Sequence, residues 1–153
     1  MVTNSNTNTV GVLLNAGGGT FLSQTTYPVG SSPHTAAVAD LNNDNKPDIV
    51  VANLNLNNVG ALLNSGTGGF LSQTTYSTSS GPLYLAVADV NFDGKADIVV
   101  PNSGSNNVGI LLNTGNGTFL SQITYSTGPS PQYVSVADVN NDNKADISVL
   151  IHS

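Results

Sequence analysis

Asp40-Leu41-Asn42-Asn43-Asp44-Asn45-Lys46-Pro47-Asp48 is the stretch on which the reading of this chain turns. It returns as Asp89-Val90-Asn91-Phe92-Asp93-Gly94-Lys95-Ala96-Asp97 and again as Asp138-Val139-Asn140-Asn141-Asp142-Asn143-Lys144-Ala145-Asp146. All nine acidic residues and all three lysines lie in these loops, and the chain has no Glu and no Arg. Charge confined to three equivalent places marks where the chemistry is.

Each loop reads D-x-N-x-D-x-K-x-D, with side-chain oxygens at positions 1, 3, 5 and 9. At position 7 a lysine is expected to turn its backbone carbonyl inward and its ammonium outward. Hard cations such as Ca²⁺ take about 6–8 oxygens from carboxylates, amide carbonyls and backbone. The residue at position 6 (Asn45, Gly94, Asn143) is of a type that enters the left-handed region at low cost. Three carboxylates within nine residues repel one another unless positive charge sits among them. A polar Asx turn without metal is the alternative. Mg²⁺ prefers a stricter octahedron that keeps several waters, and zinc is disfavoured by the absence of Cys and of clustered His. The helix-flanked calcium loop is excluded, because position 12 is Val51, Val100 or Val149 instead of Glu and the flanks read as strands.

The spacing of the loops is itself informative. Their first aspartates stand at 40, 89 and 138, an interval of 49, and the same interval links Val10, Val59 and Val108, then Phe21, Phe70 and Phe119, then Tyr27, Tyr76 and Tyr125. One unit reads as four short strands: Tyr84–Asp89; Ile98–Val100, ended by Pro101 and Asn102; Val108–Leu112; and Phe119–Tyr125, which alternates apolar and polar. The turns at 103–107 and 113–117 are rich in Gly, Asn and Ser, and Ser126–Pro131 leads to the next unit. Nothing has helical period. Four antiparallel strands in a repeat of about 40–50 residues are the signature of a β-propeller blade.

Composition agrees with an all-β chain: 153 residues, 8% charged, 39% apolar, no Cys. The net charge of −6 would fall to zero with three Ca²⁺ bound. Three lysines make no basic patch, which argues against nucleic acid and anionic membranes. No apolar run approaches the ~20 residues of a membrane span, and Met1 and its neighbours do not read as a signal peptide.

The repeats resemble the FG-GAP/VCBS family, the blade of integrin alpha-subunit propellers and of some fungal lectins, over essentially the whole chain. The resemblance rests on V-A-D-x-N-x-D-x-K-x-D-I-V-V followed by N-N-V-G-x-L-L-N-x-G-x-G-x-F. WD and kelch repeats fit poorly, since there is no Trp. The resemblance implies one Ca²⁺ in the hairpin between the first and second strands of each blade, three per chain. Carried onto this sequence, the ligands are Asp40, Asn42, Asp44, the Lys46 carbonyl and Asp48; Asp89, Asn91, Asp93, Lys95 and Asp97; Asp138, Asn140, Asp142, Lys144 and Asp146. Asn at position 3, where Asp is also common in the family, lowers the ligand charge and should weaken affinity.

The chain is expected to be a single repeat domain. It divides into an N-terminal half-blade (1–32), blades at 33–81 and 82–130, and a C-terminal half-blade (131–153), with Met1–Asn6 aligned on Ser148–Ser153. Propellers have about 4–8 blades, so self-assembly is expected. A homodimer would give a six-bladed ring and a trimer nine blades, while a fragment of a longer chain or a designed repeat is the alternative. An enzyme is not expected. The acids are committed to the loops, and His34 and His152 lie at a loop edge and the C-terminus, with Leu83 and Gln132 at the positions equivalent to His34. Tyr84 and Tyr133 stand near a polar face formed by the 53–58 and 77–83 loops and are candidate ligand contacts, against the simpler reading that they pack between blades. With the resemblance, this implies a lectin- or adhesion-like scaffold binding carbohydrate or protein, in an extracellular setting where calcium fills weak sites, or a purely structural propeller fragment with no ligand. A hydrolase is the remotest reading.

Overall fold

The computed structural model describes residues 1–152. Its strands in chain order are β1 (Val2–Asn4), β2 (Thr9–Val12), β3 (Asn15–Gly17), β4 (Thr20–Phe21), β5 (Thr25–Pro28), β6 (Pro33–Ala39), β7 (Asp48–Asn53), β8 (Asn58–Leu62), β9 (Thr74–Ser77), β10 (Ala86–Ala88), β11 (Asp97–Asn102), β12 (Asn107–Leu111), β13 (Ile123–Ser126), β14 (Pro131–Ala137) and β15 (Asp146–Ile151). They form two complete four-stranded sheets, β6-β7-β8-β9 and β10-β11-β12-β13, all antiparallel. A three-stranded sheet, β1-β2-β5, precedes them and a two-stranded sheet, β14-β15, follows. The only helical segments among the described residues are the 3-10 turns Leu54–Leu56 and Ser103–Ser105, so no helix is long and apolar enough to cross a membrane.

The second strand of each unit explains how the sheets stack. β7 and β11 read DIVVAN and DIVVPN, and every residue in both is buried. Because successive side chains point to opposite faces, a strand between two packed sheets must be apolar on both. Ile49 and Val51 join Val10 and Leu62 on the side of the N-terminal sheet. Val50 and Ala52 face the other way and pack with Ile98, Val100, Leu111 and Phe119 of the next sheet. Val99, on the far face of β11, meets Val134 of the last sheet. The core is therefore a series of seams between successive sheets.

A repeated asparagine ties the seams at one end. Asn8, Asn57 and Asn106 are left-handed, with φ of 53°, 49° and 52°. Their side-chain oxygens accept the N–H of Ser32, Gly81 and Ser130 at 2.9–3.0 Å, linking each sheet to the segment that enters the next.

Two sequence expectations need correction. Pro101 does not end its strand, since it pairs with Val108 within β11. What it ends is the neighbouring ladder: the first strand is Ala86–Ala88, three residues, where its counterparts β6 and β14 run to seven. Ala52 and Leu150 at the equivalent place pair with Thr35 and Tyr133, whereas proline has no N–H to donate. The fourth strand is shorter than Phe119–Tyr125. Phe119 makes a lone bridge to Asn113, and the ladder resumes at Ile123. The polar turn expected at 103–107 opens with a 3-10 turn, Ser103–Ser105.

Candidate metal centre

Each D-x-N-x-D-x-K-x-D loop joins the first strand of a sheet to the second, and the three fold alike. In the first, both Asp40 oxygens accept backbone hydrogens, Oδ1 from Asp44 N–H at 3.2 Å and Oδ2 from Asn45 N–H at 2.7 Å. Asn42 Oδ1 accepts from Asp44 N–H (3.2 Å) and Asp44 Oδ1 from Lys46 N–H (2.9 Å). Asp89, Asn91 and Asp93, then Asp138, Asn140 and Asp142, repeat the pattern. Position 6 is left-handed as expected, at φ 61°, 79° and 63° for Asn45, Gly94 and Asn143. Position 4 is left-handed too, which the sequence did not signal, because Phe92 (φ 61°) stands there between Asn43 (59°) and Asn141 (62°) in the sister loops.

The ninth residue behaves differently from the rest. Asp48 and Asp97 are fully buried. One oxygen of each closes the loop, accepting Leu41 N–H at 2.9 Å or Val90 N–H at 3.1 Å. The other accepts Asn64 N–H at 2.7 Å or Asn113 N–H at 2.8 Å, from the turn after the third strand. Asn113 carries the link further: its Nδ2 donates to Ala96 O in its own sheet and to Leu41 O in the preceding one, both at 2.9 Å. Asp146 closes its loop on Val139 N–H at 3.0 Å and is only half-buried.

The lysines correct one expectation. Their ammonium groups do not project away from the loops but fold back onto the fifth residue, Lys46 on Asp44 and Lys95 on Asp93 at 3.1 Å, Lys144 on Asp142 at 3.3 Å. In the middle loop, the Lys95 ammonium chiefly holds the Asp93 carboxyl below its ordinary value. For Asp44, desolvation pushes upward but is outweighed by the bonds from Lys46 and Asn42. Desolvation of Asp138 is likewise outweighed, by backbone N–H groups from Asn143 back to Asn140. Asp97 moves the other way. Burial pushes its carboxyl up against the pull of the Asn113 and Val90 N–H groups, and the charges of Asp93 and Asp89 push it higher.

These observations test the donor set against a hard cation. It is all oxygen, and the three carboxylates of the middle loop are near enough to repel, so a divalent charge among them would relieve that repulsion. Among the described residues, however, no three Asp, Glu, His or Cys side chains are already gathered as a metal-holding group. The oxygens are turned to N–H groups and lysine, so receiving a cation requires the loop side chains to reorient. The residues fit a hard cation in kind, every donor being an oxygen.

At the other end of the sheets, Tyr84 and Tyr133 come together, ring centroids 4.7 Å apart at 58°, both exposed. With His34, Leu83, Gln132 and Leu150 they line a hollow of about 320 Å³. His34 sits at a register shift in β6 with Nδ1 3.0 Å from Leu83 O, and His152 is exposed near the chain end.

Among solved structures, the chain is similar to the Photorhabdus luminescens Tc holotoxin pore, with a TM-score of 0.53 and 21% identity, over 92% of this chain and 7% of that one. At that identity the likeness concerns the fold, and the chain spans only a small part of the length of the protein it matches. No curated protein matches it. The FG-GAP-like repeat model matches three times, at residues 1–51, 40–100 and 97–149, each match taking in one or more of the loops described above. With the whole repeat series matched in this way, the chain belongs to the FG-GAP-like repeat family.

Proposed function

We propose that the chain is a calcium-stabilised, non-enzymatic β-propeller module that closes its ring with a second copy and offers its tyrosine-bearing face to carbohydrate or protein. The observation that carries the calcium reading is the threefold recurrence of one oxygen-rich loop, which holds every carboxylate of the chain. The ligands are those expected from the family pattern: positions 1, 3, 5 and 9 with the carbonyl of position 7. A bound cation would supply positive charge between the carboxylates and hold the hairpin of one sheet rigid beside the next.

The magnitude is modest. A site with a Kd of about 10⁻⁴–10⁻³ M in about 1 mM calcium adds roughly 0.4–1.4 kcal/mol, so three sites add about 1–4 kcal/mol. Such weak sites suit an extracellular setting. Titration calorimetry should find three calcium ions per chain, and EDTA should lower the melting temperature. An unchanged melting curve with no heat of binding would refute the reading.

The Lys–Asp pair in every loop favours a second reading, in which the ammonium itself neutralises the loop and the repeat is purely structural. The same calorimetry separates the two. The ligand reading rests on the Tyr84–Tyr133 pair, which presents aromatic faces and hydroxyls beside Gln132 and His34, a chemistry suited to sugars. A glycan array with wild type and Tyr84→Ala tests it, and equal, background-level signals would reject it.

A further inference from the structure

The two outer sheets of the chain expose faces that the inner seams show to be complementary. Between β6-β9 and β10-β13, Leu111 and Phe119 are 0% and 8% exposed, with Phe119 set edge-on to Tyr76 at 5.1 Å. One seam earlier, Phe70 meets Tyr27 at the same distance. Counting back by the repeat, the next members of these series are Leu13, just past β2, and Phe21, in the small β3-β4 hairpin, and they are 37% and 60% exposed. Counting forward, the next tyrosine is Tyr125, 57% exposed. It borders an open groove of about 580 Å³, between the last two sheets, lined by Val90, Val108, Ile110, Ile147 and Val149 among others. The knob and the hole are thus at opposite ends of one chain.

Polar groups follow the same rule. Asn15 occupies the place of Asn64 and Asn113, and its Oδ1 already accepts Gly17 N–H at 2.7 Å, as theirs accept from Gly66 and Gly115. In the inner seam Asn113 reaches back to Asp97, Ala96 and Leu41. The equivalents for Asn15 are Asp146, Ala145 and Val90, which border the groove.

We infer that the groove between β10-β13 and β14-β15 receives the N-terminal unit of a second copy (residues 1–32), with Leu13 and Phe21 filling it, Phe21 edge-on to Tyr125, and Asn15 clamped on Asp146. This deepens the self-association reading above and rests on it. The occupant is a second copy because the exposed face has the residue types and the 49-residue register that fill the two seams within the chain, so the new contact continues an interface already built. One rearrangement is required. β1 now pairs with β2 through Val2 opposite Gly11, the register that Val51 keeps with Gly60 and Val100 with Gly109. Val149 of the copy that bears the groove claims that same place, so β1 is a stand-in that must yield to the other copy's β15.

Sedimentation equilibrium on wild type, Phe21→Asp, Tyr125→Asp and a chain lacking residues 1–6 tests this. Both substituted side chains are exposed, so each variant should keep the wild-type circular dichroism. Wild type should run at twice 15.6 kDa. Each substitution alone should weaken association at least tenfold, and an equal mixture of the two should recover dimers, since one intact junction remains. Removing β1 should tighten the dimer. A monomeric wild type overturns both this junction and the self-association reading. A dimeric wild type that ignores both substitutions, or is loosened by loss of β1, overturns the junction alone.

Discussion

Asp97 and Asp146 hold the same place in the repeat, but only the first is fully engaged. Both accept the N–H seven residues back, Val90 for one and Val139 for the other. Asp97 also accepts Asn113 N–H and is fully buried, whereas Asp146 has no third strand beside it. The loop therefore closes on its ninth residue unaided, and the following hairpin turns that closure into a core contact. The contrast extends along the strands they begin, β11 wholly buried and β15 largely not. The largest expected effect breaks this contrast. Asp97→Ala orphans two N–H groups, one of them in the core, and should cost about 2–5 kcal/mol in urea denaturation with EDTA present. Asp146→Ala, in a wetter loop, should cost under about 1 kcal/mol. Equal losses would mean that burial of the ninth residue contributes nothing.

Asn113 and Asn64 sharpen the comparison at a second point. Asn64 Nδ2 donates to Pro47 O within its own sheet, at 3.1 Å, in an exposed setting. Asn113 donates to two carbonyls and joins two sheets through Leu41. Asn113→Ala should cost about 1–3 kcal/mol, Asn64→Ala about half that, by the same denaturation.

A smaller effect of opposite sign is expected at Phe92. Its sister residues Asn43 and Asn141 adopt the left-handed region readily, while a bulky side chain there is strained by about 1–2 kcal/mol. Phe92 is exposed and has little packing to lose, so Phe92→Asn should raise stability by up to about 1 kcal/mol. A fall in melting temperature would show that apolar burial in the hollow it lines with Val136 outweighs the strain.

Most of the architecture was legible because the repeat reports it three times. The 49-residue period, the apolar second strand and the Gly/Asn turns each have one structural solution, and four-stranded sheets follow. What was not legible depended on partners far along the chain. Pro101 reads as a strand terminator, yet its missing donor matters only to β10, so it shortens the neighbour and leaves its own strand intact. Asn113 reads as a turn residue, and nothing local says that it reaches Leu41 across 72 positions. In the loops, the oxygen pattern was plain, but the side to which each lysine would turn was not, because a flexible stem with charge on both sides has no sequence signature.

That last ambiguity sets the finest test. Lys95 Nζ lies on Asp93 Oδ2, an oxygen that a cation would claim, so ammonium and metal compete for one charge. The pair is partly exposed, so water screens it and it contributes little to stability. In EDTA, Lys95→Met should therefore lower stability only slightly. In calcium the sign should reverse, because the carboxylates lose their internal counter-ion and bind the cation more tightly, by a few-fold in Kd measured by calorimetry. If the variant is equally weakened with and without calcium, the ammonium alone neutralises the loop, and the three carboxylates around it are there to fold the hairpin.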